Sequence, residues 1–176
     1  MTIRVNTLKN GEVRQRVMTI RHNTLLVSGY EGVYAAWSFD DTIRTNSASG
    51  GIATELYRFF SDKGYKLAGV SMTPMHTAEF SLSDSFESMP AYRNSKYVYS
   101  DAGNIYYEVG KNLVNQRGVL FIGLPCQVAA LKKYLFVKKI SLELLFTVDI
   151  VCHGTTPEVY IFLLLQHEQS SAPHYL

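Results

Sequence analysis

Cysteine is scarce in this sequence: two in 176 residues, Cys126 and Cys152. Two thiols cannot build a disulfide scaffold, so a packed core has to hold the fold. Charge of one sign is missing too. Lys and Arg number 17 against 15 Asp and Glu, and the basic residues are scattered, which argues against a nucleic-acid surface. No apolar run is long enough to cross a bilayer. The tail run Tyr-Ile-Phe-Leu-Leu-Leu falls far short of the roughly 20 residues a spanning helix needs. The opening Met-Thr-Ile-Arg-Val-Asn-Thr-Leu-Lys carries charges where a signal peptide has its apolar core. These absences predict a cytoplasmic protein with reduced thiols, no membrane span and no nucleic-acid partner.

What is present is a globular composition, 47% hydrophobic and 18% charged, in a chain of single-domain length. Residues 1–31 are polar, with short alternations at 16–20 and 24–28 that suggest a weak hairpin. Residues 32–176 read as an α/β domain. Val-Tyr-Ala-Ala-Trp-Ser-Phe at 33–39 has the β-branched and aromatic content of a strand. A helix follows, with Ile52, Leu56, Phe59 and Phe60 on one face and Gly64 as its stop. Residues 67–72 and 78–82 predict two strands around a Thr-Pro-Met-His-Thr turn, and 95–101 a third. Ile105, Val109 and Leu113 stripe a second helix. Gly-Val-Leu-Phe-Ile-Gly at 118–123 is a continuous apolar run, the pattern of a strand covered on both faces. Pro125 suits a first helical position, with Val128, Leu131 and Leu135 on one side of the helix it opens. Residues 144–151 predict a second buried strand. The alternation predicts an α/β fold with a mixed, largely parallel sheet flanked by helices.

Both cysteines stand where an apolar strand ends, and ligands of open α/β sheets gather at the carboxyl ends of strands. A right-handed strand–helix–strand unit brings both thiols to one edge. Cys126 also falls in the first turn of its helix, where unpaired backbone N–H groups favour a thiolate, the form that binds metal or attacks carbon. Cysteine is equally a common core residue, and either one alone would more often be structural. His153 next to Cys152 raises a Cys-His hydrolase alternative using Cys126, although neighbours in sequence need not face one another. Small residues at 47–51 lead into a helix. Ser47 or Ser49 is available as its cap, and the turn is able to offer backbone N–H groups to a phosphate. It is neither a Walker loop nor a dinucleotide fingerprint. Around 95–101, Ser95, Lys96, Ser100 and Asp101 are polar groups suited to a phosphate or a ribose, and Tyr97 and Tyr99 share one strand face.

Asn-Ser-Ala-Ser-Gly-Gly-Ile-Ala-Thr-Glu-Leu, Ser-Lys-Tyr-Val-Tyr-Ser-Asp, Gly-Leu-Pro-Cys-Gln and Val-Cys-His-Gly-Thr-Thr-Pro occur in that order. Over roughly 32–157 they resemble the coenzyme F420 hydrogenase/dehydrogenase beta-subunit family. The resemblance implies an electron-transfer oxidoreductase that moves electrons between FAD, an iron–sulfur centre and an acceptor. It implies Cys126 and Cys152 as metal ligands, Ser49, Gly50 and Gly51 as flavin-phosphate contacts, and Ser95, Lys96 and Tyr97 as further cofactor contacts. Many relatives carry a cysteine-rich N-terminal ferredoxin-like segment, and longer ones a later Cys-x-x-Cys that would complete a four-thiolate [4Fe–4S] site. Neither occurs in this sequence. The expectation is therefore a truncated member with an incomplete ligand set, completed by a redox partner or ferredoxin-like module. The alternative is a remnant that folds without catalysis.

Overall fold

In the computed structural model, residues 2–9, 12–19, 35–152 and 154 are described, the first two stretches by their backbone alone. Strands β1 (Thr2–Lys9) and β2 (Glu12–Thr19) pair antiparallel from Thr2↔Thr19 to Lys9↔Glu12. β3 (Ala35–Trp37) joins the free side of β1, with Asn6 opposite Trp37, and completes a three-stranded sheet. The alternation at 24–28 lies outside the described residues.

The larger sheet is built around the run at 119–123. As β7 (Val119–Gly123) it is buried at all five positions, between β4 (Lys66–Met72) and β8 (Leu145–Asp149), both parallel to it. Its side chains alternate between two cores. Val119 and Phe121 join the helices α4 (Ile105–Val114) and α5 (Pro125–Val137), against Val109, Leu131 and Leu135. Leu120 and Ile122 join α2 (Ile52–Asp62) through Tyr57 and Phe60, together with Met89. Water reaches neither face, which is why the run needs no polar alternation.

β5 (Ala78–Ser83) pairs antiparallel with β4, and β6 (Ser100–Asp101) pairs parallel with β5. The order is β6-β5-β4-β7-β8, with three of its four pairings parallel. This is the expected mixed, largely parallel sheet flanked by helices.

Several elements differ from expectation for identifiable reasons. Residues 95–101 yield only the two-residue β6, because the Lys96 ammonium folds back onto the carbonyls of Ala91, Arg93 and Asn94. The alternation there survives outside any strand: Val98 is buried while Tyr97 and Tyr99 are exposed. β8 is half-covered rather than buried beyond Leu145, since among the described residues β7 is its one strand neighbour. In α2 the fully buried positions are Thr54, Tyr57 and Phe60, with Leu56 and Phe59 partly buried beside them. Phe60 meets Tyr65 and Phe146 ring to ring, which turns the helix toward its Tyr57–Phe60 side. A short helix, α1 (Asp41–Thr45), is capped by the Asp40 carboxylate, which accepts from the Ile43 N–H at 3.1 Å. A second short helix, α3 (Met89–Tyr92), packs on β4.

Gly64 ends α2 as expected. At φ +75 it places its N–H on Ser61 O (2.8 Å) while Tyr65 N–H reaches Phe60 O (3.0 Å), a paired C-terminal closure that needs a left-handed residue. Leu131 is 0% exposed in the α4–α5 core, whereas Phe136, on the same helix, is 74% exposed. Leu131→Ala should therefore cost about 2–5 kcal/mol in urea unfolding. Phe136→Ala should change stability by less than about 0.5 kcal/mol.

Candidate functional site

The parallel register brings the two cysteines to one end of the sheet. Gly123 and Asp149 are Cα partners at the close of β7 and β8, and Ile150 N–H donates to Gly123 O at 2.9 Å. Cys126 and Cys152 each lie three residues beyond those partners. Both are free and exposed. Cys126 occupies the second position of α5, behind Pro125. The Cys152 Sγ accepts from the Gly154 N–H at 3.4 Å, with Gly154 at φ +94. His153, the partner invoked by the hydrolase alternative, lies outside the described residues. Among the described residues no group of three or more His, Cys, Asp and Glu could hold a metal ion.

The first turn of α5 is tied down by a residue that sequence reasoning passes over. Gln127 Oε1 accepts from the Leu124 N–H at 2.9 Å, and Gln127 Nε2 donates to Ser100 Oγ at 2.7 Å. A signal for it exists: Gln at the third helical position commonly reaches back to the amide before the helix. Tyr106 of α4 also approaches this turn. Burial raises its phenol above the ordinary tyrosine range, and the charge of Cys126 adds to the rise.

The glycine turn reaches the same end of the sheet on the opposite face. α2 runs antiparallel to β4, with Tyr57 Oη donating to Ala68 O at 3.1 Å and Tyr65 N–H bonding back to Phe60 O, so its start lies toward the close of β4. The cap of α2 is Gly51 at φ +82, with no side-chain cap bond; neither Ser47 nor Ser49 takes that role. Ser49 is exposed. Gly50 O accepts from Ser38 N–H at 2.7 Å. A Cβ on Gly50 would lie 2.9 Å from Trp37 Cβ, and one on Gly51 would lie 2.6 Å from Ile43 Cγ2. The chain itself fills the space beside both glycines, so their packing and positive φ account for them without a ligand. Around this turn Ser38 Oγ bonds Glu55, and Arg58 pairs with Asp40 at 3.3 Å and with Glu55 at 3.7 Å.

Ser95 and Tyr97 are exposed on the segment that leads into β6. Lys96 is half-buried, and desolvation lowers its pKa. Its three donors already meet three carbonyls, at 2.5–3.2 Å. Beyond Tyr99, an open groove of about 320 Å³ is lined by Thr77, Ala78, Glu79, Tyr99, Ser100 and Asp101.

Residues 116–173 match the family described as the C terminus of the coenzyme F420 hydrogenase/dehydrogenase beta subunit. Over those residues the chain resembles the F420 hydrogenase/dehydrogenase beta subunits. The matched stretch contains Cys126 and Cys152. It runs past residue 157, where the resemblance is expected to end, and leaves out the Ser-Gly-Gly and Ser-Lys-Tyr stretches. The fold is similar to that of a chain in the F420-reducing [NiFe] hydrogenase complex from Methanosarcina barkeri, with a TM-score of 0.63 at 18% identity. That likeness covers 77% of this chain and 49% of the hydrogenase chain, so this chain spans about half the length of that relative. No curated protein matches the chain. No helix among the described residues is long and apolar enough to cross a membrane.

Gly51→Ala should strain the backbone and press on Ile43 whether or not a ligand is bound. A loss of about 1–3 kcal/mol in thermal unfolding of ligand-free protein is expected. An unchanged melting temperature would show that the turn tolerates a side chain and that the glycine serves something other than packing.

Proposed function

We propose that this chain is an electron-transfer module of the F420 hydrogenase/dehydrogenase beta-subunit type, in which Cys126 and Cys152 supply two thiolates to an iron–sulfur centre. The observation that carries the reading is the pair of free, exposed thiols. Each stands three residues beyond a paired strand end, within the stretch that matches the family. Bound there, an iron–sulfur centre would supply one-electron storage. Two thiolates are half of what an all-cysteine [4Fe–4S] cluster takes. The remaining ligands on this reading come from a redox partner chain or a ferredoxin-like module.

FAD belongs to the same proposal. On this reading its phosphate contact is the N–H groups opening α2, which no side chain caps. On this reading Ser49 borders that contact, and Ser95 and Tyr97 approach the cofactor from the loop before β6.

Anaerobic reconstitution with iron and sulfide tests the thiol reading. The chain alone should bind fewer than about four irons, with both thiols needed. Cys126→Ser and Cys152→Ser should each remove the sulfide-to-iron absorbance without lowering the melting temperature. Equal absorbance in the double variant would overturn the assignment. So would absence of iron in the reconstituted unaltered chain, the outcome that a non-catalytic remnant predicts.

A further inference from the structure

The carboxamide of Gln127 has two partners of opposite kind. The Leu124 amide can only donate, so Oε1 must face it, and Nε2 is thereby turned to the Ser100 hydroxyl oxygen. Both bonds are partly shielded from water, at 2.9 and 2.7 Å. The second joins residues 27 apart in the chain. It connects the helix that follows β7 to β6, three places away in the strand order. β6 has just two residues, held on β5 through Ala78↔Ser100 and Glu79↔Asp101.

We propose that Gln127 and Ser100 are positioning residues that fix the first turn of α5, and with it the Cys126 thiol, against the strand end at β6. Cys126 sits between Pro125, whose ring locks the entry to the helix, and Gln127, whose side chain closes the turn from the other side. A thiol on an uncapped helix start is exposed to fraying of that turn. The clamp removes that freedom and leaves the sulfur exposed, which is what a residue ligating an iron centre requires. The proposal rests on reading Cys126 as a ligand, but its test involves no iron, so each can fail separately. Ser100 also lines the open groove, so the bond ties that groove to the Cys126 turn.

The test is the mobility of a nitroxide attached to Cys126 in the full Cys152→Ser chain, read from its electron paramagnetic resonance line shape. With the clamp intact the spectrum should contain a broad, slow-motion component. Ser100→Ala should remove that component, whereas Ser100→Thr, which keeps the hydroxyl, should retain it. Gln127→Ala should act like Ser100→Ala, and Ser100→Ala carries the test if the Gln127 variant does not fold. A nitroxide on Cys152, in the Cys126→Ser chain, should keep its line shape in the Ser100→Ala variant. The proposal is overturned if the Cys126 label is unchanged by Ser100→Ala, or if the labels at both positions narrow together, as general loosening of the domain would make them.

Discussion

The burial of β7 on both faces is the constraint from which the rest of the larger sheet follows. Five consecutive buried residues can be satisfied only with hydrogen-bonded neighbours along both edges and a helical layer on each side. β4 and β8 supply the edges, α4 and α5 one layer, and α2 with the Met89 segment the other. Because both neighbours run parallel to β7, three strands end on the same side. That end receives the Cys126 turn, the Cys152 segment and the start of α2.

Elements buried by a strong pattern were legible in the sequence. The Ile105–Val109–Leu113 stripe and the Val128–Leu131–Leu135 stripe are the buried faces of α4 and α5. Gly64 and Pro125 mark boundaries because each has a backbone constraint that no neighbour overrides. Local alternation is a weaker signal. Tyr97, Val98 and Tyr99 alternate as a strand would, but pairing depends on which backbone lies alongside, and Lys96 curls the segment away. The β1–β2 pairing has its own sequence signal: Asn-Gly stands between the residues of the two strands and is the dipeptide that two-residue connections favour.

At the site, the placement of the thiols was legible from strand ends, because register propagates along a parallel pair. The glycine turn was harder to read. Small residues before a helix look alike whether they admit a phosphate or a neighbouring strand, and here Trp37 and Ile43 fill the space. Which tertiary neighbour arrives is a long-range fact. The same holds for Gln127, whose reach to the Leu124 amide is a local habit but whose bond to Ser100 depends on the assembled sheet.

The pairing of β8 with β7 has a consequence for electron transfer on the proposed reading. A slip of one residue between β7 and β8 would displace the segment that carries Cys152 by about 3.3 Å along the sheet and turn every β8 side chain to the other face. The spacing of the two sulfurs is thus a property of strand register, set by five pairings from Val119↔Leu145 to Gly123↔Asp149. Leu145 is buried in one core, and Phe146 and Val148 pack against the other, which holds that register. Tunnelling geometry in such a module would be set by strand pairing and core packing rather than by the residues beside the sulfurs alone.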